Sequence, residues 1–158
     1  MTPEIRSTLI EKIKLTPSLT RAAVAGLTAA QLQTPFREGA WTVSQIIHHL
    51  ADSHMQAVIR SKKILTEDHP TLQPYEQDTW ALLGDASQPK VDDSLHILDG
   101  LHNRWYSFWK NLPESAWTRT AYHPENGEMS LEDILRTYAN HGENHVKQIT
   151  DLRTKNGW

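Results

Sequence analysis

The chain has 158 residues, no cysteine and a formal charge of -3, with 16 Lys and Arg against 19 Asp and Glu. That length suits one domain over residues 1–158 and is too short for two ordinary cores. Disulfides, zinc–thiolate sites and a cysteine nucleophile are excluded, and the mixed charge lacks the basic patch that a nucleic-acid surface needs.

Thr2-Pro3-Glu4 reads as an N-cap, a proline in the first turn and an acidic first turn. Ile5, Leu9 and Ile13 follow at helical spacing. Thr16-Pro17 repeats the start signal, so a break or kink is expected there, with Leu19, Ala22, Ala23 and Leu27 continuing the pattern. Thr28 to Leu32 reads as one extra turn, and residues 34–40 as a loop. Thr42 or Ser44 then caps a long helix with apolar residues at Val43, Ile46, Ile47, Leu50, Ala57, Val58, Ile64 and Leu65, ending near Thr66. Residues 67–91 form a long connection with one short helix around Glu76 to Leu83, serving as a lid or a crossover. Asp92 or Asp93 starts a helix with the stripe Leu95, Leu98, Leu101, Trp105, Phe108, Trp109 and Leu112, followed by a short turn at Pro113–Trp117. Residues 119–129 read as a loop. Ser130 and Asp133 make a capping box for a last helix carrying Leu131, Ile134, Leu135, Tyr138, Ile149 and Leu152.

No strand alternation and no internal repeat is visible. Four long amphipathic helices predict an all-α four-helix bundle, with the long connection making a crossover in place of a plain up-down-up-down order. No apolar run is long enough to cross a bilayer, and Met1–Arg6 lacks the basic start and apolar core of a signal peptide. No membrane partner and a cytoplasmic location are therefore expected.

Nine histidines are many for this length, and imidazole is the commonest neutral metal ligand. His141 and His145 lie one turn apart on one face of the last helix. They continue the stripe from Tyr138 toward Ile149, so they point into the bundle, where unsatisfied polar groups are costly. The second helix offers a third ligand from His48, His49 and His54. At about 100° per residue, His54 falls near the middle of the apolar stripe, His49 on its edge and His48 largely outward. Periodicity leaves His54 and His49 both open. Three histidines leave free positions on an ion, as in a catalytic zinc site. His102 also falls in the apolar stripe of its helix.

These residues occur in a familiar order. Gly39-Ala40-Trp41-Thr42-Val43 leads into His48-His49-Leu50-Ala51-Asp52-Ser53-His54-Met55, then Ile59-Arg60. Leu65-Thr66-Glu67, Pro74-Tyr75, Trp80, Leu101-His102, Arg104-Trp105 and Tyr122-His123-Pro124 follow, before His141 and His145. From about Thr16 to Leu152 the chain resembles the DinB-like metal-binding superfamily and, within it, the YfiT-like proteins. The resemblance implies a four-helix bundle with a three-histidine site for zinc or nickel. The family's first ligand is the histidine directly before leucine in the second helix, which maps to His49, and the others map to His141 and His145. The chain departs from the subgroup at Gly142-Glu143-Asn144, where histidines are common. The resemblance further implies a metal-dependent hydrolase, or a transferase that uses a low-molecular-weight thiol such as bacillithiol as cosubstrate, and a homodimer.

The leading expectation is thus a metal-dependent enzyme acting on a small molecule, with Asp52, His54 and His102 as candidates for supporting the ligands or moving protons. The alternatives are a metal-dependent binding or stress-response protein without catalysis, and a structural bundle whose histidines are only buried. Arg37, Arg60 and Arg104 are the candidate arginines for holding a thiol's carboxylates, with a solvated surface charge the alternative for each, and Trp158 is expected to be exposed.

Overall fold

The computed structural model describes Met1–Trp158. Four long helices form the frame: α1 (Pro3–Val24), α3 (Val43–Thr66), α5 (Asp92–Lys110) and α6 (Leu131–Asn156). One-turn helices α2 (Ala29–Leu32) and α4 (Gln77–Trp80) lie in the connections. The caps follow from local chemistry. Thr42, not Ser44, caps α3, because its side chain accepts the Gln45 N–H while Gln45 returns the bond to the Thr42 N–H. Ser130 and Asp133 do the same for α6.

The expected break at Thr16-Pro17 does not occur: α1 runs unbroken through Pro17. Proline removes its own N–H and crowds the carbonyl four residues back, but the neighbouring turns are tied by the Thr16 and Thr20 hydroxyls, which donate to the carbonyls of Lys12 and Thr16. The helix is also held on two sides, since α1 packs on both α5 and α6.

α3 packs on the same two helices, so α1 and α3 stand across the diagonal of the bundle. Contacts fix the directions. Met1 meets Glu132 and Arg153 meets Ala23, so α1 and α6 run parallel. Arg6 meets Glu114 and Arg21 meets Asp99, so α5 runs opposite to α1. His48 meets Ser94 and His54 meets His102, so α3 and α5 run parallel. The order is up, down, down, up. Two consecutive parallel helices need a return path, and residues 67–91 supply it along α3. Arg60 donates to the Gln73 carbonyl near one end, Gln45 to the Ala81 carbonyl further on, and Gln33 to the Ser87 carbonyl at the other.

The expected loop over 119–129 is a hairpin instead. β1 (Thr120–His123) pairs antiparallel with β2 (Gly127–Ser130), with His123 opposite Gly127. Strands of four residues are too short to show a periodic signal; the turn forms at Asn126-Gly127, a turn-favouring pair, where Gly127 takes φ +73. The hairpin is stitched to the long connection: Tyr122 N–H donates to the Pro70 carbonyl and Leu72 N–H to the Tyr122 carbonyl.

The core has two apolar clusters. One contains Leu9, Ile13, Trp105, Trp109, Leu131, Ile134 and Tyr138. The other contains Val24, Ile46, Leu50, Leu95, Leu98, Ile149 and Leu152. His54 on α3, His102 on α5 and His141 and His145 on α6 come between these two sets, and His49 sits beside Leu50 at the edge of the second. There α1 and α6 approach closely, because Gly142 presents no side chain to Thr16. Trp158 is half-buried against the second cluster rather than exposed, since the end of α6 folds it back through its N–H to the Arg153 carbonyl.

Candidate metal centre

α3 carries His49 and α6 carries His141 and His145. His141 Nε2 stands 3.1 Å from His49 Nε2 and 3.2 Å from His145 Nε2. One nitrogen from each ring falls within 4.8 Å of the others. Around a tetrahedral ion with bonds of about 2.05 Å, ligand nitrogens are about 3.3 Å apart, so this spacing fits a single small ion. The outer nitrogens have their own partners. His145 Nδ1–H donates to Gln148 Oε1 at 2.8 Å, which leaves the His145 Nε2 lone pair facing inward. His49 Nδ1 lies 3.3 Å from Tyr75 Oη. His141 Nδ1 lies 3.1 Å from His54 Nε2.

Burial keeps these rings neutral. It pushes His49 down to about 3, helped by the neighbouring His145. It pushes His141 down to about 3 as well, with His145 and His49 adding to the effect. Burial also lowers His145, opposed by its bond to Gln148. Neutral imidazole is the form that binds metal, so the cluster could accept an ion without first losing protons at neutral pH.

A cavity of about 390 Å³ opens beside the cluster, lined by His49, His141, Arg60, Tyr75, His123 and Tyr138 among others. Its helical walls come from α3 and α6. Its remaining wall comes from the return path at Tyr75–Asp78 and from the hairpin turn at His123–Asn126. Glu76, Asp78 and Glu125 are exposed at the mouth. Arg60 is buried, donates to Tyr138 Oη at 2.9 Å and to the Gln73 carbonyl at 2.7 Å, and its Nε has no partner. Both of its acceptors are neutral, so a permanent cation sits in the cavity wall without a carboxylate.

The structure brings together His49, His141 and His145, and places His54 and His102 behind them. His54 is fully buried between His141 and His102, with its Nδ1 2.7 Å from His102 Nε2. Its mid-stripe position puts it behind the cluster, while the edge position of His49 faces the cavity. Asp52 does not join the site. It is half-buried outside the cavity, and burial, then Asp85, pushes its carboxyl up. His48 is buried rather than outward: Ser94 Oγ and the Gln88 carbonyl hold its two nitrogens, because α5 and the return path cover that face. Arg37 and Arg104 are exposed and lie outside the cavity. Sequence reasoning passed over Tyr138, His123 and Gln148. Tyr138 and Gln148 each lie three residues from a ligand candidate on α6, which was the available signal.

The sequence pattern of the DinB superfamily matches residues 12–149. A Geobacillus kaustophilus protein named "Putative metal-dependent hydrolase" is 44% identical over 151 residues, covering 94% of this chain and 84% of that protein. A Bacillus mycoides protein of the same description is 42% identical over 158 residues, covering 100% of this chain and 91% of that protein. Among solved structures, YfiT from Bacillus subtilis superposes with a TM-score of 0.97 at 37% identity, covering 100% of this chain and 91% of that one. It is described as "a probable metal-dependent hydrolase with an unusual four-helix bundle topology".

Proposed function

This chain belongs to the DinB superfamily, and from that premise we propose that it is a metal-dependent hydrolase of a small molecule, with one zinc or nickel ion held by His49, His141 and His145. One observation carries the reading: three imidazoles, one buried and two half-buried, turn Nε2 atoms toward one another at 3.1 and 3.2 Å beside a cavity. Neutral lone pairs so placed repel, and a cation among them turns that repulsion into ligation. Three imidazoles suit zinc and nickel alike.

A bound ion of this kind supplies Lewis acidity, which polarises a substrate oxygen and lowers the pKa of water or of a thiol. The residues of the chain do the rest. His49, His141 and His145 bind, each oriented through its other nitrogen. Arg60, Tyr75, Tyr138 and His123 surround the space a substrate would fill. The ring of Trp41, 4.6 Å from that of His49, packs against one side of the cluster.

A second reading is favoured by Arg60. Its guanidinium has no carboxylate of its own, which suits the acidic part of a low-molecular-weight thiol and hence an S-transferase. Elemental analysis of exhaustively dialysed protein, followed by parallel assays of ester or amide hydrolysis and of thiol transfer, tests both. About one transition-metal ion per chain with turnover in one assay supports the corresponding reaction. Failure to retain or take up zinc or nickel refutes both.

A further inference from the structure

Behind His141 the structure holds an unbroken series of contacts that ends on the backbone of α1. His141 Nδ1 is 3.1 Å from His54 Nε2, His54 Nδ1 is 2.7 Å from His102 Nε2, and His102 Nδ1 is 2.6 Å from the Ile13 carbonyl oxygen. Each imidazole nitrogen either donates or accepts, and which one is a consequence of its neighbours. The end of the series removes the ambiguity. A carbonyl oxygen can only accept, so His102 Nδ1 carries a hydrogen. His102 is 1% exposed and neutral, so its Nε2 is bare and accepts from His54 Nδ1–H. His54 is 0% exposed, the aromatic rings beside it are those of His102, Trp105, Tyr138 and His141, and its two nitrogens meet His102 and His141, so no carboxylate pairs with it to support a charge. It too is neutral, so its Nε2 accepts from His141 Nδ1–H. His141 is left with a bare Nε2, aimed at His49 and His145. The opposite direction would press a bare nitrogen against a carbonyl oxygen at 2.6 Å.

An ordinary helix carbonyl is already engaged by the N–H four residues on. For Ile13 that residue is Pro17, which has no N–H. The Ile13 carbonyl therefore has no i+4 backbone donor to share it with and is left to the side-chain donor from α5. The proline that the sequence offers as a helix breaker leaves the helix intact and frees this acceptor.

We infer that Pro17, acting through the Ile13 carbonyl, His102 and His54, fixes the tautomer of His141 that presents Nε2 as a lone pair toward His49 and His145. Pro17, His54 and His102 are positioning residues, and the inference rests on the three-histidine reading of the site only for its effect on metal affinity. The direction of the relay is a property of the metal-free protein.

The test uses the full chain, 15N-labelled and metal-free, with long-range 1H–15N correlation of the imidazoles. Hydrogen on Nδ1 and bare Nε2 in His54, His102 and His141 is expected. Hydrogen on Nε2 of His54 or His102 overturns the inference. Pro17→Ala returns an N–H to the Ile13 carbonyl. It is expected to mix the tautomers of His102, His54 and His141 and to weaken zinc binding about 10-fold, with thermal stability unchanged or raised. Unchanged tautomers and zinc affinity in Pro17→Ala overturn the role of the proline. His102→Leu should act like Pro17→Ala, whereas His102→Gln, whose Oε1 can accept from His54, should restore the wild-type tautomer at His141. A wild-type protein that takes up neither zinc nor nickel refutes the metal site, and the tautomers of the metal-free protein then still decide the relay.

Discussion

Gly142→Ala is the most discriminating single change in the bundle. A Cβ at position 142 would lie 2.7 Å from Thr16 Cγ2 and 2.9 Å from Thr16 Oγ1. Ordinary contact begins near 3.4 Å, so α6 and α1 must part by about 0.7 Å or Thr16 must turn. Thr16 is poorly placed to turn: it is buried, β-branched, and its hydroxyl donates to the Lys12 carbonyl at 2.9 Å. Overpacking of this kind costs about 1–3 kcal/mol, against about 1 kcal/mol gained by replacing a mid-helix glycine with alanine. The expected net effect is a loss of up to about 2 kcal/mol by urea denaturation. Because residue 142 follows His141, zinc affinity should fall as well. Thr16→Ala removes the obstructing atoms, so the double variant should recover most of the loss, giving a positive coupling in a double-mutant cycle. If Gly142→Ala alone stabilises the protein by about 1 kcal/mol, the helix-propensity gain stands unopposed and α1 and α6 do not approach closely at Gly142.

Three further outcomes follow from the site. His145→Ala removes one of three ligands, so the dialysed variant should retain well under one ion per chain while keeping the wild-type far-ultraviolet circular dichroism; full retention would count against the cluster. Arg60→Met replaces a buried cation that lacks a carboxylate, so thermal stability should hold or rise while substrate turnover falls; a sharp fall in Tm would make the guanidinium a structural element instead. In metal-free protein, His49 and His141 are held down to about 3 and His102 to about 4, all below the unfolded value of 6.5. Between those limits the unfolded chain binds more protons, so stability should fall as pH drops from 6.5 toward 4, by at most about 1.4 kcal/mol per pH unit for each buried histidine. Melts at pH 7, 6 and 5 read this directly, and a flat profile would refute it.

Much of the frame was legible because it depends on local chemistry. The capping boxes at Thr42 and Ser130 are self-contained, and the apolar stripes give the phase of each helix. Parallel α3 and α5 follow from a connection too long for a hairpin of helices. What was hidden depends on partners distant in the chain. His48 looked outward because helical phase knows nothing of Ser94 and Gln88, which come to it from α5 and the return path. His49 and His54 could not be separated by phase, since the choice depends on which neighbour each meets. Pro17 carried a breaker's signal because its compensation, packing on two helices, is tertiary. The hairpin was missed because each strand is a single short pairing.

The ligand candidates and the far walls of the cavity belong to different kinds of structure. The histidines are fixed by long packed helices, whereas the far walls come from the return path up to the start of the one-turn helix α4 and from the turn of the β1–β2 hairpin, fastened to each other through Leu72 and Tyr122. Loops accept insertion and substitution more readily than packed helices. Descendants of one ancestral bundle could therefore exchange their substrates by rewriting two short peptides while inheriting an unchanged trio of imidazoles, so kinship in the helices predicts shared chemistry far better than shared substrate.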